Sequence, residues 1–588
     1  MSPSAQYNET FDEDVPILII GGGPSVRLLI TERYATRLAA PKAHALNPRS
    51  LEMCRQFGLD VNEIRMIGTS RRDAYWVNFI TSLAGEQVGR LPYERMDAEV
   101  LNSTPTMIHN IPQPAFEELV ASRLSKSSLV EIRKNHTFFD GHVITVIQDR
   151  DLNETYRVRS KHVVACDGAK SAVRKFLGID SEGEDSYETM MTIHINADLR
   201  PIVKERVGML HWVMDPLVSG FIIAYDLADN QVLICNFDSE KWPVASWNEE
   251  RCRTLVDAAI GAGAKYDVLS FRPWILSRKV ANSYRDRRVF LAGDAAHSFP
   301  PTGGLGLNSG LGDVHNLAYK LAAVHRGTAT ETSLDTYQAE RRPIALVNSQ
   351  QSVKNGKKIF RLLKSLGTTD PNVDVARRNL YQTIHDEKAM VEINKAIEDQ
   401  REHFDNLGLH IGYVYGDNRI PDNASVYEPL CVPGARLPHA WVKLLDPERV
   451  QLPAIDSSYA VAEPQRVDAM TYSTLDLCRF DAFTILVDER SSSQFEAAAK
   501  SALAQIPASV ASGLLLRVIV KGVDFLLQPG QEKWDDVVLL KQGQAVLVRP
   551  DQHILAVLNR DAGAAHIEEA LKSYLGWETG NTVVPNLI

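Results

Sequence analysis

Three strings in this 588-residue chain place glycine and a carboxylate directly after an apolar run. Val15–Ile20 is a β-branched run that reads as a buried strand, and it ends in Gly21-Gly22-Gly23-Pro24. Glycine has no Cβ, so Gly21 and Gly23 let the backbone approach a phosphate closely. Glu32 ends the next apolar run, Arg27–Thr31, where a carboxylate can accept hydrogen bonds from both hydroxyls of a ribose. A plain glycine turn and a surface Glu32-Arg33 pair are the bland alternatives. The second string runs from Tyr156–Cys166 into Asp167-Gly168-Ala169, a strand-to-helix turn in which Asp167 and Ser171 could also simply cap a helix. The third runs from Arg288–Leu291 into Gly293-Asp294 and then Pro301-Thr302-Gly303-Gly304-Leu305-Gly306-Leu307-Asn308.

The first string has unusual spacing. In the common dinucleotide fingerprint the acid follows the first glycine by roughly 20 residues, with a helix between them. Here Gly21 and Glu32 are 11 positions apart, and Val26 takes the place of the third glycine. A parallel crossover takes a dozen or more residues, so the two runs are expected to pair as a hairpin or to leave a gap in the sheet. The helix N-terminus that would face a pyrophosphate is missing.

The elements that must position these strings follow from periodicity and turn residues. Asn47-Pro48-Arg49-Ser50 reads as a loop capping a helix, Tyr75–Leu91 as strand, and Pro114–Leu124 as helix with Glu117 and Glu118 near its positive end. Met190–Phe237 alternates as a sheet forming one wall of a pocket, and Tyr75, Trp76, His211, Trp212 and Arg278 fall in wall segments. Helical periodicity covers Asp313–Val324, Ser333–Ser352, Lys354–Leu366 and Met390–Phe404. Pro433-Gly434 and Pro438 mark a boundary, beyond which strands and helices alternate as a separate small α/β unit.

Composition excludes several classes. Charged residues make up 23% and hydrophobic ones 44%, as in an ordinary globular protein. The net charge of −10 carries no basic stretch interleaved with aromatics, so nucleic acid is not an expected partner. The six cysteines contain no CxxC pair, and neither a zinc site nor a dithiol centre is expected. With no apolar run near the roughly 20 residues that span a bilayer, no membrane association and a cytoplasmic location are expected.

The string Gly293-Asp294-Ala295-Ala296-His297 with Pro300–Asn308 resembles the second flavin motif of the FAD-dependent aromatic-ring hydroxylases, and Cys166–Arg174 resembles their third. The resemblance is to phenol 2-monooxygenase-like enzymes and extends from Asp14 to about Gly576. It implies an α/β fold: a Rossmann-like FAD-binding domain (15–189 and 279–430, after a polar tail, 1–14) interleaved with a substrate sheet (190–278). A thioredoxin-like C-terminal domain (431–588), lacking CxxC, would support a homodimer. By the same resemblance Gly21, Gly23, Glu32, Arg49, Gln113, Asp167, Gly293, Asp294, Pro301, Gly304, Gly306, Leu307 and Asn308 would contact FAD. Arg49 would meet the pyrophosphate, Asp294 the ribityl chain and Gly303–Asn308 the isoalloxazine. The implied activity uses NAD(P)H and O₂ to hydroxylate a phenolic or aromatic polyketide-type molecule through a flavin C4a-hydroperoxide. The catalytic base is not legible from spacing, and no metal is implied. A non-catalytic relative crippled by the short Gly21–Glu32 interval, and a flavin oxidase or epoxidase on the same scaffold, are the rival readings.

Overall fold

The computed structural model describes residues 12–20, 28–36, 40–41, 43–141, 143–417, 419, 421–506 and 513–577. Gly21 and Gly23 lie outside them. Three sheets organise the chain. The first has the order Arg285–Asp286, Val289–Leu291, Glu154–Ala165, Glu13–Ile20, Leu28–Glu32, Val130–Lys134, with His136–Gly141 and Ile144–Asp149 extending it as a meander. Its central strands are near-continuous apolar runs because both faces are covered. Ile17, Leu18, Leu28 and Leu29 are buried, and the same apolar cluster takes in Val163, Val164 and Phe290.

Glu13–Ile20 and Leu28–Glu32 pair in parallel, Ile17 opposite Leu28 and Ile20 opposite Thr31. This corrects the expectation of a hairpin or a gap. The register offsets the end of one strand from the start of the next by three residues of rise and one strand spacing, about 11 Å. Seven residues, 21–27, can span that distance. The usual crossover length reflects a helix packed on the sheet, which chain closure alone does not demand.

The second sheet has the order His297–Ser298, Tyr266–Ala281, Ser181–Ala197, Asn230–Phe237, Gly220–Asp226, Leu210–Val213, Trp76–Ile80, Gln87–Pro92. It is the wall expected from the alternation in Met190–Phe237. Two helices differ from the sequence reading. The helix expected from Asp313 begins at Leu305 and runs to His325, because Gly310 and Gly312 serve close packing within it. A Cβ on Gly310 would lie 3.2 Å from the Gly293 Cα, and one on Gly312 would lie 2.6 Å from Arg341 Nη2. Asp335–Ser365 is one unbroken helix with Pro343 inside it, where two segments were expected.

The third sheet, Tyr472–Ser473, Trp441–Leu444, Phe525–Leu527, Leu516–Lys521, Phe483–Asp488, Ala545–Val548, Ile554–Leu558, forms the C-terminal unit. It is locked to the rest by buried ion pairs. Arg55 donates to both Asp476 oxygens at 2.7 and 3.0 Å, and Arg549 to both Glu340 oxygens at 2.6 and 3.0 Å. Glu52 accepts from Arg436 at 2.9 and 2.6 Å, from Arg49 at 2.9 Å and from Thr104 at 2.7 Å. Among the described residues no helix is long and apolar enough to cross a membrane.

Burial alone would raise the Glu52 carboxyl, but the Arg436 and Arg49 guanidinium groups outweigh it and bring it from 4.5 to about 2. Glu52→Gln should strand two buried cations and cost about 3–5 kcal/mol in urea unfolding at neutral pH. Because the folded value lies below the unfolded one, the Glu52 contribution is complete above 4.5 and is lost as the pH falls toward 2. The stability gap between wild type and variant should therefore narrow across that window.

Candidate active site

The parallel strands end level with one another. Ile20 stands opposite Ala165, Ala165 opposite Leu291, and Ile20 opposite Thr31. The three strings therefore emerge along one edge, at the carboxyl ends of the strands, where open α/β sheets bind their ligands. A cleft of about 3200 Å³ begins at this edge and continues to the second sheet.

Glu32, Gln113, Gly293, Asp294, Pro301, Gly304, Gly306 and Leu307 all line this cleft. Glu32 Oε1 accepts from the Tyr34 N–H at 3.2 Å, and Gln113 Nε2 donates to Glu117 at 2.8 Å. Asp294 projects from a short 3₁₀ turn, Gly293–Ala295, in which Gly293 takes a φ of 58°. Asp167 Oδ2 accepts from the Val173 N–H at 3.2 Å, while its Oδ1 is buried without a hydrogen-bond partner, beside cleft-lining Cys166 and Gly168. Arg174, part of the same string but given no role in the sequence reading, ties the two turns together. It donates to the Ala295 carbonyl at 2.6 Å and to the Ala169 carbonyl at 2.8 Å.

Two expected contacts are placed elsewhere. Arg49 points away from the cleft and donates to Gln552 Oε1 and the Asp551 carbonyl, both at 2.7 Å. Its planar fork is used to dock the C-terminal unit, a partner that no short motif could reveal. Asn308 sits behind the first turn of the Leu305–His325 helix. It donates to the carbonyls of Ala45 and Gly304 at 2.9 and 2.7 Å and accepts from the Asn47 N–H and the Ser50 hydroxyl at 2.9 and 2.6 Å. It therefore braces the glycine loop instead of facing the cleft.

One buried carboxylate fixes that loop. Asp313 Oδ2 accepts from the Gly293 N–H at 3.1 Å and pairs with His297 Nε2 at 2.7 Å, and its Oδ1 accepts from Arg341 Nε at 2.9 Å. Burial pushes its pKa up, but the charges of His297 and Arg341 together hold it below the usual value. His297 is thus committed to holding the loop. Gly304, in the left-handed region, precedes the first residue of the helix, and a Cβ on Gly306 would meet no protein atom within 4 Å. The backbone here is bare toward the cleft, and the first turn of a helix carries N–H groups without intrahelical partners.

Of the expected wall residues only Trp212 lines the cleft, joined by Phe221, Ile223 and Trp274. His211 belongs to the opposite face of the same strand, since neighbours in a strand alternate, and bonds to the Gly208 carbonyl at 3.1 Å. His44 precedes the Asn47-Pro48-Arg49-Ser50 turn. The short pairing of Ala45–Leu46 with His109–Asn110 puts it on the cleft wall, its Nε2 2.9 Å from the Tyr93 hydroxyl. Burial lowers its pKa to about 4. Among the described residues no three His, Cys, Asp or Glu side chains are grouped to hold a metal ion.

Residues 14–352 match the family model described as FAD binding domain. The chain belongs to this family, among the FAD-dependent aromatic-ring hydroxylases. It is 27% identical to 2,4-dichlorophenol 6-monooxygenase of Delftia acidovorans over 96% of its own length and 98% of the relative's. It is 30% identical to tetracenomycin B2 monooxygenase-dioxygenase of Streptomyces olivaceus over 58% of this chain and 68% of that one. Its fold matches the flavin-dependent monooxygenase PieE, solved with FAD and substrate, with a TM-score of 0.83 at 24% identity over 97% of this chain and 100% of PieE.

The residues present fit FAD. The unpartnered Asp167 Oδ1 beside the cleft, the Asp294 carboxylate on its wall and the bare first turn at Gly306 supply the polar groups that a ribityl chain and a ring system need. Asp313→Asn keeps the shape but leaves Arg341 buried without its counter-charge. It should cost about 3–5 kcal/mol of stability and lower the flavin retained per chain after gel filtration, read from visible absorbance.

Proposed function

We propose that this monooxygenase hydroxylates a phenolic or aromatic polyketide-type ring, with NAD(P)H as reductant. The observation that carries the reading is the continuity of the cleft from Glu32 and Asp294 to Trp212, Phe221 and Trp274, with His44 also on its wall. The names of the dichlorophenol and tetracenomycin relatives support the substrate class. In this reading Glu32 holds the adenosine ribose, Asp294 the ribityl chain, and Pro301, Gly304, Gly306 and Leu307 the ring system. Gln113 and Asp167 contribute beside it. The family resemblance supports a homodimer joined through the C-terminal unit, and the lack, among the described residues, of a helix long and apolar enough to cross a membrane is compatible with a cytoplasmic location.

FAD, when bound, would supply the hydride-accepting and O₂-activating chemistry, with NAD(P)H as the reductant. The protein's part is to orient the ring, exclude water and raise the ring's nucleophilicity. The aromatic wall stacks the substrate, and an apolar enclosure strengthens each polar contact inside it. A phenol reacts faster as phenolate, so a base is needed at the hydroxyl. His297 is tied to Asp313, and His403 is stacked on Phe404 with centroids 4.3 Å apart. His44 is the imidazole adjoining the glycine loop, through Ala45, whose Cβ lies 3.6 Å from the position a Gly304 Cβ would take. With Nε2–H donated to Tyr93, Nδ1 carries the lone pair that accepts the phenolic proton as the ring gives up electrons to oxygen and that proton becomes strongly acidic.

Purified protein should be yellow, should consume NAD(P)H faster when a phenol is added, and should yield a product heavier by one oxygen in mass spectrometry. O₂ consumption without oxygen insertion would contradict the reading. His44 works only as the neutral base, so the wild-type rate should fall as pH drops toward about 4. His44→Ala should reduce kcat/KM at neutral pH by about 10²–10⁴-fold. That deficit should shrink as pH approaches the phenol's own pKa, about 10, where the substrate is already ionised.

A further inference from the structure

The turn after Gln87–Pro92 carries two consecutive non-glycine residues in the left-handed region, Glu94 at φ 46° and Arg95 at φ 48°. Such angles are costly and persist only where the surroundings enforce them. Here the Glu94 N–H donates to the Phe404 carbonyl at 2.5 Å. Arg95 is drawn outward by Asp405 at 2.7 Å and by the Ser425 carbonyl at 2.6 Å. The turn thereby sets Tyr93 and Glu94 side by side on the cleft wall and takes the neighbouring cation away from the Glu94 carboxyl.

That carboxyl has a side-chain exposure of 3%, and its Oε1 lies 3.9 Å from the position a Cβ on Gly304 would occupy. Ala45, the neighbour of His44, stands against the same position. Glu94 therefore shares with His44 the corner of the cleft beside the glycine loop. The titratable groups around it are Tyr93, Asp405, Arg95 and His410, whose Nε2 is 3.9 Å from Glu94 Oε2. His410 offers no positive charge, since burial pushes it down to about 3. Arg95 is paired with Asp405. Burial, and then the like charge of Asp405, raise the Glu94 pKa well above the usual carboxyl value.

We propose that Glu94 is a neutral carboxylic acid whose O–H donates a hydrogen bond to an acceptor oxygen of the substrate, selecting rings that carry a carbonyl or quinone oxygen near the reacting hydroxyl. This deepens the aromatic hydroxylase reading and rests on it. As the hydroxyl proton shifts toward His44, the O–H electron pair spreads through the ring onto the carbonyl oxygen, and the Glu94 O–H meets the charge developing there. A carboxylic acid kept protonated by an apolar site is suited to that work, because its donor is already in place when the charge appears.

The test uses the FAD-loaded full chain as wild type, Glu94→Gln and Glu94→Leu, with 1-hydroxyanthraquinone and its carbonyl-free counterpart 1-hydroxyanthracene as probes. The infrared difference between wild type and Glu94→Gln at neutral pH should show the carbonyl stretch of a protonated carboxylic acid, a readout independent of turnover. Dissociation constants from flavin absorbance titrations should show Glu94→Leu binding the quinone on the order of tenfold more weakly than wild type. Glu94→Gln, which keeps a neutral donor, should stay near wild type, and 1-hydroxyanthracene should not distinguish the three. An ionised carboxylate band, equal quinone affinity in wild type and Glu94→Leu, or equal loss in Gln and Leu would each overturn the proposal. If the band and the binding preference are found but no ring is hydroxylated, Glu94 stands as a binding determinant and the hydroxylase reading falls.

Discussion

Asp313 is the group on which the site depends. It has no exposure to solvent, and it joins the backbone of the Gly293–Ala295 turn, the His297 ring and the Arg341 guanidinium, which come from three separate elements. A buried carboxylate is tolerated only when its lone pairs are met and its charge is balanced. Satisfying Asp313 therefore fixes the glycine loop, the start of the Leu305–His325 helix and the long helix behind it in one arrangement.

A second constraint is the level ending of the parallel strands. Pairing Ile20, Ala165, Leu291 and Thr31 at one height makes segments distant in sequence share one edge. The C-terminal unit reinforces the arrangement from outside. Its Asp476, Gln552 and Arg549 take hold of Arg55, Arg49 and Glu340 on the helices that carry the cleft. Two of these contacts are buried ion pairs, so removing either partner would leave an uncompensated charge at the interface.

The sheet wall and the carboxyl-edge strings were legible in apolar alternation and turn residues. Glu32, Gln113, Asp294, Pro301, Gly304, Gly306 and Leu307 do line one cleft. Arg49 and Asn308 do not face it, because their polar groups are consumed by partners hundreds of residues away or by the loop they brace. The short Gly21–Glu32 interval still permits parallel pairing, because crossover length is a property of helices packed on sheets and strand register alone sets a looser limit.

What the sequence by itself determined is local and chemical: which runs are strands, where glycine permits close approach, and which string resembles a flavin motif. What only the tertiary structure decided is which polar groups remain available. His44 and Glu94 gained their roles from a two-residue ladder, a strained turn and the removal of competing charges. Asp313 gained its role from burial. Hydrogen-bond satisfaction and desolvation are sums over neighbours brought together by folding, and no window of sequence contains them.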